Sequence, residues 1–473
     1  MIDFSSGPQV YCIGIKGTGM CALAEYCRHA GANVEGSDVQ EVFYTDEILK
    51  SLEIPVHTPF KSGNLPSHID YLFYSAAYDA DNNPELAEAS RRGIPGMSYP
   101  QALGMISRGQ PTGAVAGVHG KTTTTALAGS MAQAAGLPVG VIVGSGVSNF
   151  DGRSCLFLGD KGLIAETCEY RRHFLNISPR WLIVTSIEPD HLDYFRDYGD
   201  IFDAFTEYAL KLPENGTLIY CADDAGASEL AGKMRILRAD LRLIPYGFSA
   251  DGEYGIQNYR VEGERLVAEL AGFSKPLRLR IPGRHSVLNA AAAAALVTVM
   301  GADLGLSLDR QKLLSGCEEF RGSRRRSEIV GEAGGILFMD DYAHHPTAIR
   351  TTLRGLREFY PHRRLVVDFM SHTYSRTAAL FDGFAAAFGD ADELVLHDIY
   401  ASAREDSGGV SGEQLYRKTA ENHPSVRYYP EPADSLEELD SLLSPGDLFI
   451  SMGAGNNWLV SHELYKRRKG RSA

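Results

Sequence analysis

A glycine-rich segment, GVHGKTTT at residues 117–124, lies between an apolar run and a helix-like stretch. Glycines there let backbone N–H groups face phosphate oxygens, and the start of a helix adds a favourable dipole. Lys121 can reach the terminal phosphates of a nucleotide, and the Thr122 hydroxyl can ligate Mg²⁺. The segment predicts a phosphate loop, with a chance Gly-Lys-Thr at a helix start as the alternative. The predicted phosphate contacts are Gly117, His119, Gly120, Lys121, Thr122 and Thr123.

Carboxylates follow two later apolar runs, in ETCE at residues 166–169 and in EPDHLD at residues 188–193. Beside a phosphate loop, such carboxylates and a neutral imidazole can hold Mg²⁺ while phosphate and water complete its shell. Taken in isolation, the same residues fit a solvated loop with a capping Asp. The nearby phosphate loop favours the metal site.

A second glycine-rich turn, GIKGTGM at residues 14–20, follows the first apolar run, and GSD at residues 36–38 ends the next one. The turn lacks the full G-x-G-x-x-G pattern, so a tight strand-to-helix turn is one interpretation. With Asp38 about 20 residues downstream, it also fits the dinucleotide site of an oxidoreductase.

The second half of the chain contains further polar segments at predicted strand and helix ends. They are GRHSVLN at 283–289, RRRSE at 324–328, DDYAHHPT at 340–347, SHTYSRT at 371–377, and DIYA at 398–401 with Arg404 and Glu405. Taken singly, Asn289 could be a helix cap, the arginines a solvated charge run and the other segments surface loops.

In order and spacing, these segments resemble the Mur ligase family of ATP-dependent carboxylate-amine ligases. Lys16, Cys168, Ser286 and Ser327 depart from the family pattern. The N-terminal turn is similar to the loop that holds the diphosphate and uridine of the family's sugar nucleotide. The UDP-sugar contacts that this implies are Gly14, Gly17, Thr18, Gly19, Met20, Ser37, Asp38 and Ser75.

The resemblance also implies ATP and Mg²⁺ as cofactors, with Mn²⁺ able to substitute. The further ATP contacts it implies are Asn289, Arg326 and Asp341. The implied metal ligands are Thr122, Glu166 and His191. The implied amino-acid contacts are Tyr342, His344, His372 and Arg376, and the implied catalytic residues are Lys121, His344, His372 and Arg376. Thr206 occupies the position of the carbamylated lysine found in other members, so we expect no carbamate.

The C-terminal segments resemble those of the alanine-adding branch. This implies ligation of L-alanine to the lactyl carboxylate of UDP-N-acetylmuramate through an acyl phosphate, with release of ADP and phosphate, in peptidoglycan precursor synthesis. A murein-tripeptide ligase of the same family would share the first two domains. A folylpolyglutamate synthetase would lack the N-terminal glycine turn, and an oxidoreductase would not need Gly-Lys-Thr. A non-catalytic nucleotide switch is the remaining alternative.

The elements that position these segments alternate between apolar strands and helices, which is typical of parallel α/β domains. At 473 residues the chain is long enough for about three of them. We predict a Rossmann-like UDP-binding domain at residues 1–108, a P-loop ATP-binding domain with a mostly parallel sheet at 109–322, and a Rossmann-like amino-acid domain at 323–473. The apolar stretch at residues 287–300 is predicted to be a buried helix.

The overall charge narrows the range of partners. With 46 Lys and Arg against 60 Asp and Glu, the net charge is −14, so we expect neither nucleic acid nor a membrane as a partner. The seven cysteines include no C-x-x-C pair, which favours a reducing cytoplasm over a disulfide or zinc framework. We expect a cytoplasmic monomer or weak homodimer.

Overall fold

The computed structural model describes residues 4–192, 194–401 and 409–471. Asp193 of the EPDHLD segment, and Arg404 and Glu405 of the last polar segment, lie outside the described residues.

Within the described N-terminal residues, parallel strands form a sheet of order β3-β2-β1-β4-β5, the order of doubly wound nucleotide-binding folds. The strands are β1 Gln9–Ile13, β2 Asn33–Ser37, β3 Val56–His57, β4 Tyr71–Tyr74 and β5 Gly96–Ser98. The helices are α1 Thr18–His29, α2 Thr45–Ser51, α3 Pro84–Arg91 and α4 Tyr99–Gly109. Because parallel strands end at the same edge, the turns after β1, β2 and β4 lie together there.

The central sheet has the order β12-β11-β10-β6-β9-β7-β8, and β7 with β8 is its antiparallel pair. Its strands are β6 Thr112–Ala116, β7 Gly140–Ile142, β8 Cys155–Phe157, β9 Leu163–Glu166, β10 Trp181–Val184, β11 Thr217–Cys221 and β12 Arg242–Tyr246. A small antiparallel sheet follows, formed by β13 Ile256–Val261, β14 Leu266–Leu270 and β15 Leu277–Leu279. The helices of this region are α5 Lys121–Ala135, α6 Tyr198–Leu210, α7 Ala225–Leu237, α8 Arg284–Asp303 and α9 Arg310–Glu318.

Helix α8 contains the apolar stretch that was predicted to be buried. It is long and apolar enough to span a membrane, yet 78% of its apolar window is buried inside the protein. The alanines at 290–295 are fully buried, and their small side chains let α8 lie close to α5 and to strand β11. The prediction of a buried core helix is confirmed.

The C-terminal sheet has the order β16-β17-β21-β18-β19-β20, and β16 is antiparallel to β17. Its strands are β16 Glu328–Ala333, β17 Ile336–Asp341, β18 Leu365–Met370, β19 Glu393–Leu396, β20 Val426–Tyr428 and β21 Leu448–Gly453. The helices are α10 Pro346–Phe359, α11 Tyr374–Ala379, α12 Phe381–Ala385, α13 Gly412–Ala420, α14 Leu436–Leu442 and α15 Trp458–Arg471. The polar segments after β17 and β18 therefore lie at one edge of this sheet, while the predicted domain boundaries at 108 and 322 stay predictions.

Candidate functional site

The predicted phosphate loop connects β6 to α5 and needs glycine at two positions. Gly117 and Gly120 have positive φ angles of 133° and 81°. A Cβ at Gly120 would lie 2.5 Å from Oδ1 of Asn289, a buried residue of α8. The loop backbone and Asn289, both predicted to contact ATP, thus lie against each other.

Lys121 is held at the start of α5 by a buried carboxylate. Its Nζ donates to both oxygens of Glu169, at 2.9 and 3.0 Å, and Glu169 is 1% exposed. Burial disfavours the charged carboxylate, but the Lys121 ammonium and His191 outweigh it and lower the pKa of Glu169. The charged lysine is therefore fixed where the terminal phosphates of a nucleotide would bind.

The predicted metal ligands lie beside this pair. Thr122 donates through Oγ1 to Oε1 of Glu166 at 2.8 Å, and His191 Nε2 lies 3.5 Å from Oε1 of Glu169. A hydroxyl, carboxylates and an imidazole next to a phosphate loop are a suitable donor set for Mg²⁺ that keeps phosphate and water ligands. These residues fit the metal that the sequence predicts, and Glu169 is an additional carboxylate within reach.

A second cluster joins the phosphate loop to the C-terminal domain. Single ligand atoms of His119, Glu188 and His345 lie within 4.8 Å of one another. His119 Nε2 contacts Oε1 of Glu188, and Thr347 donates to Oε2 of Glu188 at 3.2 Å. His345 caps helix α10 by accepting the Thr347 N–H at 3.3 Å. Glu188 therefore links the nucleotide loop with the start of α10.

The arginines at 324–326 have three different environments. Arg324 lies over the Tyr44 ring at 4.5 Å, and Arg325 donates to Asp340 at 2.9 Å and to the Gly453 carbonyl at 2.7 Å. Arg326 faces the cavity described below and lies 5.1 Å from the Tyr342 ring centroid. Arg326 is therefore the member of the run placed to reach a ligand.

The residues predicted to contact the amino acid come together at the ends of β17 and β18. The Tyr342 and His344 rings are 4.8 Å apart between centroids, and His344 and His372 are 6.2 Å apart. Arg376 joins them and pairs with Asp190 of the central domain at 2.9 Å. Burial and the nearby Arg376 guanidinium hold the pKa of His344 well below its usual value. The imidazole is therefore neutral near pH 7.

One cavity of about 1260 Å³ contains most of these groups. It lies mainly between the central and C-terminal domains, and Ala76 and Ala77 of the N-terminal domain also line it. Its lining includes the predicted ligand-binding residues His119, Gly120, Lys121, Thr122, Thr123, His191, Asn289, Arg326, Asp341, Tyr342, His344, His372 and Arg376. Gly117 and Glu166 are outside the lining but contact it through the loop backbone and Thr122. Asp341 also accepts hydrogen bonds from Ser327 and Ala343, so it shapes the segment around Arg326.

The N-terminal turn forms a separate group at the edge of its own sheet. The Lys16 N–H donates to Oδ2 of Asp38 at 2.6 Å, which closes the turn onto the end of β2. Gly14 has a φ of 78°, and a Cβ there would lie 2.8 Å from the Ser75 Cβ. Gly14, Asp38 and Ser75 therefore lie together at this edge of the sheet, and their contact with a sugar nucleotide stays a prediction. The Lys16 ammonium pairs with Asp46 at 3.0 Å.

The other members of the predicted UDP-sugar set share this edge but differ in exposure. Met20 and Ser37 are buried, and Ser37 donates to Glu85 within the domain. The Thr18 hydroxyl accepts a hydrogen bond from Tyr44 at 3.0 Å, and Gly17 and Gly19 lie at the start of α1. None of the predicted UDP-sugar residues, all of which the structure describes, lines the cavity, whereas Ala76 and Ala77 directly after Ser75 do.

Three family descriptions match the chain in order. "Mur ligase family, catalytic domain" matches residues 9–111, "Mur ligase middle domain" matches 115–297, and "Mur ligase, glutamate ligase domain" matches 325–455. The chain belongs to the Mur ligase family. The predicted three-domain α/β fold and the predicted ATP-dependent ligase of peptidoglycan precursors are confirmed.

Relatives of this Mur ligase align over nearly its whole length. A UDP-N-acetylmuramate-L-alanine ligase from Treponema pallidum (strain Nichols) is 49% identical over 469 residues, covering 97% of this chain and 96% of the relative. The ligase of the same name from Borreliella burgdorferi is 37% identical, covering 97% and 99%. The crystal structure of a UDP-N-acetylmuramate-alanine ligase from Thermotoga maritima matches with a TM-score of 0.77 at 26% identity, covering 98% of this chain and 100% of that one.

Sequence reasoning gave no individual role to three carboxylates of this Mur ligase. Glu169 pairs with Lys121, Glu188 joins His119 to the C-terminal domain, and Asp190 pairs with Arg376. All three belong to the two carboxylate-rich segments, so the signal for their position was present. Their partners were not predictable, because each partner lies at least 48 residues away along the chain.

Proposed function

We propose that this Mur ligase joins L-alanine to the lactyl carboxylate of UDP-N-acetylmuramate, converting ATP to ADP and phosphate. The observation that carries the proposal is the single cavity in which the phosphate loop faces Tyr342, His344, His372 and Arg376. A nucleotide phosphate and a small amino acid can thus meet there. The names of the aligned relatives support the same reaction.

The first step is phosphoryl transfer, because an amide does not form from a free carboxylate at neutral pH without activation. The muramate carboxylate attacks the γ-phosphate of ATP and yields an acyl phosphate and ADP. Lys121 and Arg326 stabilise the charge that develops on the transferred group. Thr122, Glu166 and His191 would hold Mg²⁺, or Mn²⁺ in its place, and the ion would supply positive charge to neutralise the phosphates.

The second step is attack of the L-alanine amine on the acyl phosphate, which passes through a tetrahedral intermediate and releases phosphate. The neutral imidazole of His344 can accept a proton from the amine, and His372 orients the amine. Arg376 binds the alanine carboxylate through charge-assisted hydrogen bonds. Both histidines and the arginine come from the C-terminal domain, so its docking completes the site.

The sugar nucleotide spans two regions in this proposal. Its diphosphate and uridine bind the N-terminal turn of Gly14, Gly17, Thr18, Gly19 and Asp38. The muramate part extends past Ser75 to Ala76 and Ala77, which line the cavity. The reacting carboxylate thereby reaches the phosphate loop.

The amino-acid site should select small L-amino acids. Tyr342, His344, His372 and Arg376 are bulky polar groups that converge on one substrate, so little space remains beyond a methyl side chain. A missing methyl is worth only about 1 to 3 kcal/mol, so glycine should be a poor substrate rather than an inert one, and L-alanine should be preferred over L-serine as well. The enzyme is further proposed to be a cytoplasmic monomer or weak homodimer with domains at 1–108, 109–322 and 323–473.

Phosphate release tests the function. Purified protein with Mg²⁺ and ATP should release phosphate when UDP-N-acetylmuramate and L-alanine are both added, and not when either is added alone. Release with the murein tripeptide L-alanyl-γ-D-glutamyl-diaminopimelate that is faster than with L-alanine would contradict the proposal. ATP binding without turnover under all conditions would indicate a nucleotide switch.

A further inference from the structure

An ion pair between Asp190 and Arg376 joins the central domain to the C-terminal domain. Asp190 follows β10, and Arg376 lies in α11 at the end of β18. Their side chains are 7% and 10% exposed, and Arg376 donates to Oδ1 of Asp190 through Nη2 at 2.9 Å and Nε at 3.1 Å. The His191 N–H donates to the same oxygen at 2.7 Å. The pair is therefore a fixed, buried contact and not a mobile surface bridge.

The geometry of the pair leaves part of the guanidinium available. Asp190 occupies the edge of the guanidinium that is formed by Nε and Nη2. The third nitrogen, Nη1, has no hydrogen-bond acceptor among the described residues 4–192, 194–401 and 409–471. Arg376 lines the cavity together with His344 and His372. A planar guanidinium can bind one carboxylate along one edge and a second along another.

We propose that Asp190 is a positioning residue that fixes Arg376 so that its remaining N–H donors face the carboxylate of the incoming amino acid. This inference rests on the proposed function, in which Arg376 binds that carboxylate. Because the two residues belong to different domains, Arg376 takes this position only when the C-terminal domain is docked on the central domain.

Electrostatics gives the reason for a carboxylate at this position. A buried guanidinium without a partner is costly, so Arg376 would turn toward water if the negative charge of Asp190 were lost.

Asp190 also lies in the carboxylate segment that the sequence associates with Mg²⁺, so a metal-ligand role is the competing explanation. Oδ1 already accepts three donors, whereas Oδ2 lies 3.9 Å from Nε2 of His191. The two roles differ in what substitution should change. A positioning role alters alanine binding, and a ligand role alters the Mg²⁺ requirement.

The test is steady-state kinetics of Asp190→Asn, which keeps the shape and removes the charge. We expect the KM for L-alanine to rise at least about tenfold, while the KM for ATP and the Mg²⁺ concentration for half-maximal rate stay within about twofold. Asp190→Glu keeps the charge and should recover part of the alanine KM. As a matched control, Asp200→Asn breaks an Asp–Arg pair of 2.9 Å in the same domain, at a residue that does not line the cavity. It should behave like the wild type.

A second readout distinguishes positioning from general damage. Since Arg376 recognises the carboxylate, Asp190→Asn should reduce the preference for L-alanine over L-alaninamide, measured as the ratio of their kcat/KM values. An unchanged ratio, or a raised Mg²⁺ requirement with a normal alanine KM, would overturn the positioning role. A wild-type enzyme that fails to ligate L-alanine would instead count against the proposed function, so the two failures are distinguishable.

Discussion

The N-terminal turn and the cavity between the other two domains are built differently. The turn is closed by contacts inside one domain, such as the hydrogen bond from Lys16 to Asp38, 22 residues away. The cavity is closed by contacts between domains, Arg376 with Asp190 and Thr347 with Glu188, at separations of 186 and 159 residues. The turn proposed to bind the diphosphate and uridine is thus built within one domain, whereas the proposed reaction site depends on the docking of two.

Because of this difference, we expect substitutions to affect sugar-nucleotide binding and catalytic turnover separately. Substitutions in the turn should weaken binding of the sugar nucleotide and leave ATP binding unchanged. Substitutions in the cavity should reduce turnover and leave sugar-nucleotide binding intact. A residue that affected both to the same degree would show that the sites are not separate.

The largest effect is expected for Lys121→Ala. Loss of the ammonium removes charge stabilisation from phosphoryl transfer, so kcat should fall roughly 1,000-fold or more. Calorimetric titration with UDP-N-acetylmuramate should give a near-normal Kd, because the turn lies in another domain. Loss of both sugar-nucleotide binding and turnover would mean that the nucleotide site and the sugar-nucleotide site are assigned to the wrong residues.

Substitution of the metal ligands should have the next largest effect. Glu166→Ala and His191→Ala each remove a donor that phosphates alone do not replace, so the Mg²⁺ concentration for half-maximal rate should rise about 10- to 100-fold. Magnesium titrations of both variants measure it. Titrations that match the wild type would show that these residues are not metal ligands and belong to an ordinary polar loop.

A smaller effect is expected for a substitution in the N-terminal turn, where binding of the sugar nucleotide should be weakened and binding of ATP should not. Gly14→Ala places a side chain at positive φ and against Ser75, at a cost of about 2 kcal/mol, or roughly 30-fold in sugar-nucleotide affinity if the turn must shift. The ATP affinity should not change. Gly93→Ala, also at positive φ but with open space around its Cβ and far from the turn, controls for backbone strain.

The smallest effect is a shift of a pH profile. In the proposed mechanism His344 acts as a neutral imidazole, and because its pKa is lowered, its protonation should reduce activity only at acidic pH. Arg376→Met should lower kcat/KM for L-alanine at every pH, because it removes the proposed carboxylate contact. It also removes the positive charge that helps to lower the pKa of His344, so the acid limb of the remaining activity should move toward neutral pH. Burial still lowers the pKa, so the shift should be partial. An acid limb that stays in place would argue against His344 as the group that titrates.

Local sequence patterns predicted the turns and the buried strands well. The apolar runs at residues 336–341, 365–370, 393–396 and 448–453 are typical of buried strands, and they form β17, β18, β19 and β21, which are buried at all positions except Glu393. The edge strands β16 and β20 were not predicted, because half-exposed edges have no continuous apolar run. The polar alternating stretch at residues 252–281 contains the small sheet of β13 to β15, which no local pattern predicted.

The pairing of side chains across domains could not be predicted in the same way. Glu169 and Asp190 have the composition of metal ligands, and only the docking of distant segments shows that they hold Lys121 and Arg376. Gly120 needs glycine partly because Asn289, more than 160 residues later, occupies the space of a Cβ. The spacing of residues along the chain indicates which functional groups are available. Tertiary packing determines which of these groups contact one another.

Isotope transfer during a single turnover tests the central claim most directly. UDP-N-acetylmuramate labelled with ¹⁸O in both oxygens of its lactyl carboxylate is incubated with the enzyme, Mg²⁺, ATP and L-alanine, and the products are analysed by mass spectrometry. Activation as an acyl phosphate predicts one ¹⁸O in the released phosphate and one in the alanyl amide. Retention of both labels in the sugar nucleotide, label in AMP with release of pyrophosphate, or absence of an alanyl product would contradict it.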